Sequence, residues 1–595
     1  MQNRRLKLSF KHGMRKSQKH VEELSSNAEQ GIDKHLFKRF DRLVPVQRFI
    51  IGWVGLMLIL IIGLVIQIFG ISHYYQVVRP VPGGIYNEGV RGRLTNINPI
   101  YATTDADKTV SKLMFAGLLK YNDQGQLIGD LAKDYSLDAK RTTYTVHLKP
   151  NLKWQDGKPL TSADVVYTYR AIQNPDANSP LQNGWKGVVV AAPKPDTVTI
   201  TLPGILASFP EHLITGIIPQ HILGKVPYSD LRSSDFNTTH PVGAGPFMWD
   251  AINADATDDP KTAKTQVALL PFADYANGKP KLQKFIVHVF AAEKDLVKAL
   301  SSKQVYGAEG FINPPTKLMK KQSVDTHNIT LRAANMVFFK TSSGILADTN
   351  VRRALVTGSN TKDLIKQAGY KARPVNSPLL TGQLAYDPKI TQMVYDESAS
   401  KQLLTSNGWI VGKDGYRSKA GKPLEFNLVA ANTDENHRLT DMIRQQWKEL
   451  GVKLDVNLQD SGDFQTSVAN HNYDSLLTGI TIGVDPDVFV YWDSSQADIR
   501  SSNRSNLSEY KNAVADSSLE AGRTRIDPAL RSLKYKPFLQ AWQQDNPALA
   551  LYQPRLLYLT NGPVDGLSNH TINTATDRFT NVQNWQIRQA KVNQN

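Results

Sequence analysis

A charge-free run near the amino terminus places the strongest constraint on how this chain folds. Phe49–Ile71 contains about 23 residues without Asp, Glu, Lys or Arg. As a helix rising about 1.5 Å per residue, it covers about 35 Å, more than the roughly 30 Å hydrocarbon core of a bilayer. Trp53 lies near one end, and Tyr74 and Tyr75 follow the other, as aromatic residues do at membrane interfaces. The pattern predicts a transmembrane helix.

The charges around this run predict its orientation. Residues 1–48 contain twelve Lys or Arg against five acids, whereas Arg79 is the only Lys, Arg, Asp or Glu between the run and Glu88. The positive-inside rule therefore predicts a cytoplasmic amino terminus and an extracellular or periplasmic part from residue 72 onward. Because cleaved signal peptides have an apolar core of only about 7–15 residues, we interpret the longer run as an uncleaved signal-anchor.

The excess of positive charge does not indicate a nucleic-acid-binding protein. The formal net charge is +16, and twelve bases minus five acids give the amino-terminal arm seven of these charges. The other nine are spread over more than 500 residues, without a nucleic-acid-binding motif. We expect the arm to act as a topology signal or to contact anionic lipid headgroups.

The sequence contains no catalytic or metal-binding motif. Cysteine is absent, which excludes disulfides and thiolate ligands, and the thirteen histidines lack the spacing of metal ligands. GxSxG, Walker and HExxH motifs are also absent. We therefore expect a protein that is not an enzyme and that needs no metal or other cofactor.

Local patterns in the outer part predict a mixed α/β structure. At 595 residues the chain is too long for one core, so two or three domains are expected. From Thr143 polar and apolar residues alternate as in a half-buried strand, and a helix capped by Thr161 or Ser162 follows. Tyr395–Trp409 predicts another helix, capped by Asp396.

Short segments of the outer part occur in the same order in one protein family. They are FAGLLKY at Phe115–Tyr121, KWQDGKP at Lys153–Pro159, PVGAGPFMW at Pro241–Trp249, YDESASKQLLTSNGW at Tyr395–Trp409 and NPALALYQP at Asn546–Pro554. Together they resemble the bacterial extracellular solute-binding proteins of family 5, which include the oligopeptide-, dipeptide- and nickel-binding proteins of ABC importers. The resemblance extends from residue 83 to about residue 586.

This resemblance implies a fold and a division into domains. The family fold is an α/β, two-lobed clamshell of the periplasmic-binding-protein type (type II, cluster C) with an additional small domain, here preceded by one transmembrane helix. The implied ranges are a cytoplasmic arm at 1–48, a signal-anchor at 49–71, a linker at 72–82 and a solute-binding domain at 83–595. Within that domain, lobe 1 comprises about 83–114, 208–325 and 555–595, the satellite domain about 115–207, and lobe 2 about 326–554.

One segment of lobe 2 is expected to contact the ligand. In peptide-binding members of the family, an Asp shortly before an Asp-Pro pair binds the α-amino group of the ligand. Aligning Asp485 and Pro486 with that pair places Ile482 at the position of the carboxylate, and isoleucine cannot neutralise a buried ammonium. Either the ligand lacks a free amino end here, or Asp485 or Asp487 takes the role from a shifted position. As an alternative to a role in ligand binding, Asp485 can be a helix cap at an Asp-Pro turn.

Three aromatic residues are further candidates for the ligand site. Aromatic faces make adaptable contacts with varied side chains, although such residues more often belong to a hydrophobic core. The complete set of predicted ligand-binding residues is Tyr101, Trp185, Ile482, Asp485, Asp487 and Trp492.

The resemblance implies one function and leaves two alternatives open. It implies a monomeric, membrane-anchored component of an ABC importer that captures oligopeptides or a related solute between two closing lobes. The solute would then pass to permease subunits and their ATPase. The first alternative is an extracellular sensor or scaffold that uses the same fold without transport, with residues 1–48 carrying the output. The second is a peptide hydrolase, which predicts turnover of peptides.

Overall fold

The computed structural model describes residues 47–74, 76–254, 264–498, 500–501 and 504–593. The arm predicted at 1–48 therefore lies almost entirely outside the described residues. Contacts divide the chain into two compact units, Met1–Arg79 with Gln589–Asn595, and Pro80–Arg588.

The first unit contains the apolar run. Helix α1 (Gln47–Tyr74) includes it, and its part Gln47–Ile68 is long and apolar enough to cross a membrane. No other part of the described chain covers its apolar side chains; Ile59, for example, is 68% exposed. Strand β1 (Gln76–Val81) follows and pairs with the last strand, β24 (Arg588–Asn593). Residues 72–82, predicted as a linker, thus contain the end of α1 and all of β1.

Lobe 1 of the second unit is built on a seven-stranded sheet that combines distant parts of the chain. Its strands, in order across the sheet, are β13 (Asp325–Thr330), β23 (Arg555–Thr560), β12 (Gly307–Glu309), β2 (Ile85–Arg91), β11 (Lys284–Phe290), β10 (Lys264–Pro271) and β9 (Phe247–Ala254). Strand β2 runs parallel to both of its neighbours, and the other neighbouring pairs are antiparallel. Helices α2 (Asp105–Met114) and α5 (Glu293–Ser301) pack against this sheet.

Lobe 2 is built on a six-stranded sheet with a hydrophobic core on each face. Its strands, in order, are β15 (Arg373–Pro374), β22 (Ala548–Gln553), β14 (Ala333–Phe339), β21 (Ser475–Thr481), β19 (Glu425–Ala431) and β20 (Lys453–Gln459). Alternate residues of β14 point to opposite faces, as the period of a strand requires. Met336 and Phe338 join one core, whereas Val337 and Phe339 join the other.

The satellite domain carries a four-stranded antiparallel sheet. Its strands, in order, are β5 (Ala132–Leu137), β6 (Thr143–Leu148), β8 (Thr197–Thr201) and β7 (Val189–Lys194), and a hairpin of β3 (Leu119–Tyr121) and β4 (Leu127–Gly129) precedes them. The predicted alternation in β6 is confirmed, since Tyr144, Val146 and Leu148 are buried. The predicted helix is α3 (Ser162–Gln173), whose Asp164 carboxylate accepts the Thr161 backbone N–H at 2.9 Å.

Two neighbouring segments connect the lobes. The chain passes from β13 to β14 through Leu331 and Arg332, and it returns from β22 to β23 through Pro554. The Leu331 N–H donates to the Pro554 carbonyl at 2.9 Å, so the crossings lie side by side. Lobe 2 is expected to begin at about residue 326, and β13 (Asp325–Thr330) pairs with β23 in the lobe-1 sheet.

The remaining elements complete the described part of the second unit. A small sheet consists of β16 (Ile410–Val411), β17 (Arg417–Lys419) and β18 (Lys422–Pro423). The other α-helices are α4 (Gln220–Leu223), α6 (Thr316–Met319), α7 (Thr349–Thr357), α8 (Thr361–Lys366), α9 (Glu397–Ser406), α10 (Asp434–Glu449), α11 (Ser461–Asn470), α12 (Phe489–Trp492), α13 (Ala513–Arg523) and α14 (Pro528–Asp545).

Candidate ligand-binding cleft

The cleft between the lobes is a row of connected cavities. The largest has a volume of about 660 Å³ and the next about 500 Å³. A third, of about 410 Å³, adjoins the second at Gly483. Small-molecule sites in proteins typically measure about 300–1,000 Å³, so the cleft has room for a solute. The two largest cavities share lining residues from both sides of the cleft, namely Asn183, Gly184, Glu211, His212 and Ile482.

Glu211 connects the two sides of the cleft. It lies on a 3₁₀ turn (Phe209–Ile214), and its Oε1 accepts hydrogen bonds from the Tyr121 hydroxyl (2.8 Å) and from the Asp485 backbone N–H (3.3 Å). Burial raises the pKa of the Glu211 carboxyl, and the negative charges of Asp485 and Asp487 raise it further. Glu211 therefore holds a proton more readily than an ordinary glutamate.

The two candidate acids are already neutralised by arginines of the same lobe. Asp485 accepts two hydrogen bonds from the Arg531 guanidinium, at 2.7 and 2.8 Å. Asp487 Oδ2 accepts two from Arg523, at 3.0 and 3.2 Å, and one from the Ser208 hydroxyl at 2.8 Å. Hydrogen bonds between charged partners are among the stronger ones in proteins. Asp485 would have to give up Arg531 before it could bind a ligand ammonium, whereas Asp487 Oδ1 is buried and has no hydrogen-bond partner among the described residues.

Ile482 belongs to the wall that lobe 2 contributes to the cleft. It lines both large cavities, is 6% exposed, and offers only hydrocarbon to the cleft. The backbone N–H groups of Ile482 and Gly483 both donate to the Arg332 carbonyl, at 2.9 and 3.0 Å. This wall is therefore fixed to the crossing segment between the lobes. Asp485 Oδ1 also accepts the Asp487 N–H at 3.0 Å, which closes the turn at Asp-Pro.

Of the three predicted aromatic residues, Trp185 borders the cleft. It lines the cavity of about 500 Å³, although its own side chain is 1% exposed, and it stacks on Tyr169 with 3.9 Å between the ring centroids. Tyr101 is 1% exposed in the core of lobe 1. Trp492 is fully buried in lobe 2, where its ring packs edge-on against Trp542. The predicted residues that the structure brings together at the cleft are Trp185, Ile482, Asp485 and Asp487.

Sequence reasoning misses several residues of the cleft. His212 stacks flat on Phe209, with ring centroids 5.5 Å apart, and burial lowers its pKa and so favours the neutral imidazole. Arg332 and Arg373 line the third cavity. A single charged or aromatic residue outside a motif cannot be recognised as a cleft residue from one sequence. For Arg332, its position between two predicted strands is the one sequence feature that points to the cleft. Among the described residues, no group of three or more His, Asp or Glu is placed to hold a metal ion.

Two α/β lobes, joined by adjacent crossing segments and separated by connected cavities, define the class: this is a two-lobed solute-binding protein. The sequence model described as bacterial extracellular solute-binding proteins, family 5 Middle, matches residues 126–501. The chain belongs to that family, as predicted.

Relatives with known names and structures agree with this assignment. The oligopeptide-binding protein AppA of Bacillus subtilis (strain 168) is 26% identical over 500 residues, covering 80% of this chain and 87% of AppA. The structure of AppA in complex with a nonapeptide matches with a TM-score of 0.69 and 22% identity, covering 86% of this chain and 100% of AppA. NikZ from Campylobacter jejuni, in complex with Ni(L-His), matches with a TM-score of 0.72 and 23% identity, covering 84% of this chain and 99% of NikZ. The predicted two-lobed fold is confirmed.

Proposed function

We propose that this chain is the membrane-anchored binding component of an ABC importer, and that it captures oligopeptides between its two lobes. The observation that carries the proposal is the cleft itself, whose two largest cavities of about 660 and 500 Å³ share residues from both lobes. The relation to AppA, an oligopeptide-binding protein, supports peptides as the class of solute. The binding role does not require a catalytic group, and we propose that the protein is not an enzyme.

Capture follows from closure of the lobes around the solute. The crossing segments at Leu331–Arg332 and Pro554 are the places where the lobes can rotate. A solute that contacts both walls stabilises the closed form because it binds that form more tightly than the open one. Direct bonds between the walls, such as Ser208 to Asp487 and the Ala207 N–H to the Arg523 carbonyl (2.9 Å), add to the stability of the closed form.

The anchor places this capture next to the transporter. We propose that α1 crosses the membrane once with a cytoplasmic amino terminus, and that the binding domain faces outward as a monomer. Tethering raises the concentration of the binding domain near a permease and its ATPase, to which the closed form then docks.

The test is mass spectrometry of small molecules released by denaturing the purified full chain in detergent. We expect a mixture of peptides, and we expect a synthetic peptide pool to raise the melting temperature of the emptied protein. A cleft without peptides, together with no thermal shift from the pool, would contradict the proposal. Cross-linking in cells separates import from sensing: permease subunits as the main partners support import, and a cytoplasmic regulator bound to the arm supports the sensor alternative.

A further inference from the structure

The carboxyl-terminal strand returns to the segment that follows the apolar helix. β1 begins at Gln76, two residues after the last residue of α1, and β24 (Arg588–Asn593) pairs with it. Among the described strands these two form a sheet of their own, which we call the juxtamembrane ribbon. Because a strand advances about 3.3 Å per residue, every residue of β1 lies within about 25 Å of the end of α1.

The juxtamembrane ribbon carries positive charge without a counter-charge. β1 contains Arg79, β24 contains Arg588 and Lys591, and neither strand contains Asp or Glu. All three basic residues are exposed, and none has a carboxylate within 4.0 Å among the residues that the structure describes. Val78, beside Arg79, is 58% exposed. Exposed basic and apolar groups side by side suit the interface between the headgroups and the acyl chains of a bilayer.

The first residue of β24 is held against the chain that follows β1. The Arg588 side chain lies over Gly83 and Gly84, so closely that a Cβ added to Gly83 would be 3.0 Å from Arg588 Nη1. The Gly83 N–H donates to the Lys281 carbonyl at 2.8 Å, and the Gln283 N–H donates to the Gly84 carbonyl at 3.0 Å. β24 therefore starts from a fixed point of lobe 1, and its pairing with β1 does not require two free chain ends to meet.

The juxtamembrane ribbon needs support from a further surface. A two-stranded sheet alone is only marginally stable in water, and the outer edge of each strand presents unpaired backbone groups. Anionic phospholipid headgroups supply the charge opposite to that of the three basic residues and acceptors for exposed N–H groups. A surface of this kind therefore complements the ribbon in both respects.

We propose that the juxtamembrane ribbon binds anionic phospholipid headgroups at the membrane surface from which α1 emerges, through Arg79, Arg588 and Lys591. This contact shortens the free length of chain between the anchor and the binding domain, so that the tether is not a loose one. The positive-inside rule gives no indication of the site, because Arg588 and Lys591 are distant from α1 in the sequence and reach β1 only in the folded chain. The inference rests on the proposed membrane anchor and is independent of the solute.

The experiment uses the full chain in lipid nanodiscs. Because the sequence contains no cysteine, a fluorophore on Gln589→Cys, an exposed position of β24, is the single label, and lipids that carry a quencher on the headgroup report its contact with the membrane. We expect stronger quenching in discs that contain phosphatidylglycerol than in discs of phosphatidylcholine alone. The difference should disappear at about 1 M salt, where the Debye length is only about 3 Å.

The other outcomes separate the inference from the anchor on which it rests. Equal quenching in the two kinds of disc would overturn the inference while leaving the anchor intact. Failure of the chain to enter either kind of disc would overturn both. A response of the label to soluble polyglycerol phosphate in neutral discs, without a response to phosphatidylglycerol, would assign the basic residues to an anionic polymer and overturn binding to lipid.

Variants of the basic residues locate the effect. Arg79→Gln and Lys591→Gln should each lower the ratio of lipid-bound to unbound ribbon in anionic discs by about fivefold, the effect of one juxtamembrane charge. Lys591→Arg should retain most of the ratio because it keeps the charge. The matched control is Lys422→Gln, which removes a charge from an exposed position of β18 and should leave the ratio unchanged. An unchanged ratio in both ribbon variants would contradict the assignment to these residues. The comparison of lipids uses none of these variants, so it stands even if one of them disturbs the pairing of β1 with β24.

Discussion

At the scale of single residues, the cleft is defined by charges that the protein neutralises itself. Arg531 and Asp485 are both largely buried, with side chains 6 and 15% exposed, and they form a two-pronged ion pair. A buried pair of this kind contributes little net stability compared with apolar residues, but the loss of one partner leaves an uncompensated charge. The pair therefore fixes the shape of the lobe-2 wall more than it adds to the free energy of unfolding.

Removal of Arg531 should be strongly destabilising. Arg531→Ala leaves the Asp485 carboxylate without its counter-charge, and we expect the free energy of unfolding in urea to fall by about 3 kcal/mol. Arg444→Ala breaks an exposed pair with Asp441 and should cost less than about 0.5 kcal/mol. Equal losses in the two variants would mean that the buried pair has no special role. The double variant with Asp485→Ala should recover part of the loss.

The buried acids of lobe 1 should make stability depend on pH. Glu309 is fully buried, 3.8 Å from Arg578, and burial raises the pKa of its carboxyl to about 7, against the attraction of Arg578. An acid with a raised pKa binds its proton more tightly in the folded state, so stability falls as pH rises from about 4.5 to about 7. We expect Glu309→Gln, which cannot ionise, to gain on the order of 3 kcal/mol relative to the unmodified chain between pH 5 and pH 8. Unfolding free energies that differ by a constant amount across this range would contradict the account.

At the scale of elements, local chemistry determines where helices begin. The predicted cap Asp396 accepts the Ala399 N–H at 2.8 Å at the start of α9, and the predicted strand and helix of the satellite domain also occur where the pattern places them. These signals are readable in one sequence because all partners lie within a few residues of each other. Their contribution can therefore be tested one cap at a time.

The Asp396 cap of α9 should contribute about 1 kcal/mol to the free energy of unfolding. Asp396→Ala removes the acceptor for the Ala399 N–H, and we expect the free energy of unfolding to fall by roughly that amount. Asp396→Asn keeps an oxygen in place and should lose less than half as much. Denaturant titration of both variants measures the difference, and an Asn variant as unstable as the Ala variant would argue against a capping role.

The parts of the cleft that depend on distant partners cannot be read in the same way. Trp492 is an aromatic residue of the kind that can line a cleft, but α12 packs it against Trp542 in the core. The neighbouring sequence does not distinguish a position in the cleft from one in the core. Arg332 and Arg373 line one cavity only because the segment between β13 and β14 lies near β15 in the folded chain. The family resemblance predicts the lobes and the loop at Asp485, whereas the side chains that set the charge of the cleft become visible only in the folded chain. The roles of the predicted ligand-binding residues stay predictions.

At the scale of the whole molecule, we propose that a membrane anchor and a solute-capturing domain act together. The apolar helix α1 follows a basic segment, and the rest of the described chain forms a solute-binding fold. Tethering to the membrane would raise the effective concentration of such a binding domain near a permease in the same membrane. The anchor helix and the binding domain can therefore be tested separately.

The anchor should hold the protein in the membrane with the binding domain outside. We expect the full chain to stay with membranes washed in alkaline carbonate, because α1 supplies about 20 apolar residues. Protease added to intact cells, or to spheroplasts of cells with an outer membrane, should degrade the part that follows Tyr74 and spare an epitope placed before Gln47. Release by carbonate, or digestion of the amino-terminal epitope, would contradict the topology.

Closure of the lobes around a solute can be observed as a change in the distance between them when peptide is added. The sequence contains no cysteine, so single cysteines at Lys298 on α5 and Lys448 on α10, both exposed, can carry spin labels without competing thiols. We predict that a saturating peptide pool shifts the distribution of distances toward shorter values and narrows it, because solute stabilises the closed form. A distribution that does not change although peptide is bound would contradict capture by closure of the two lobes.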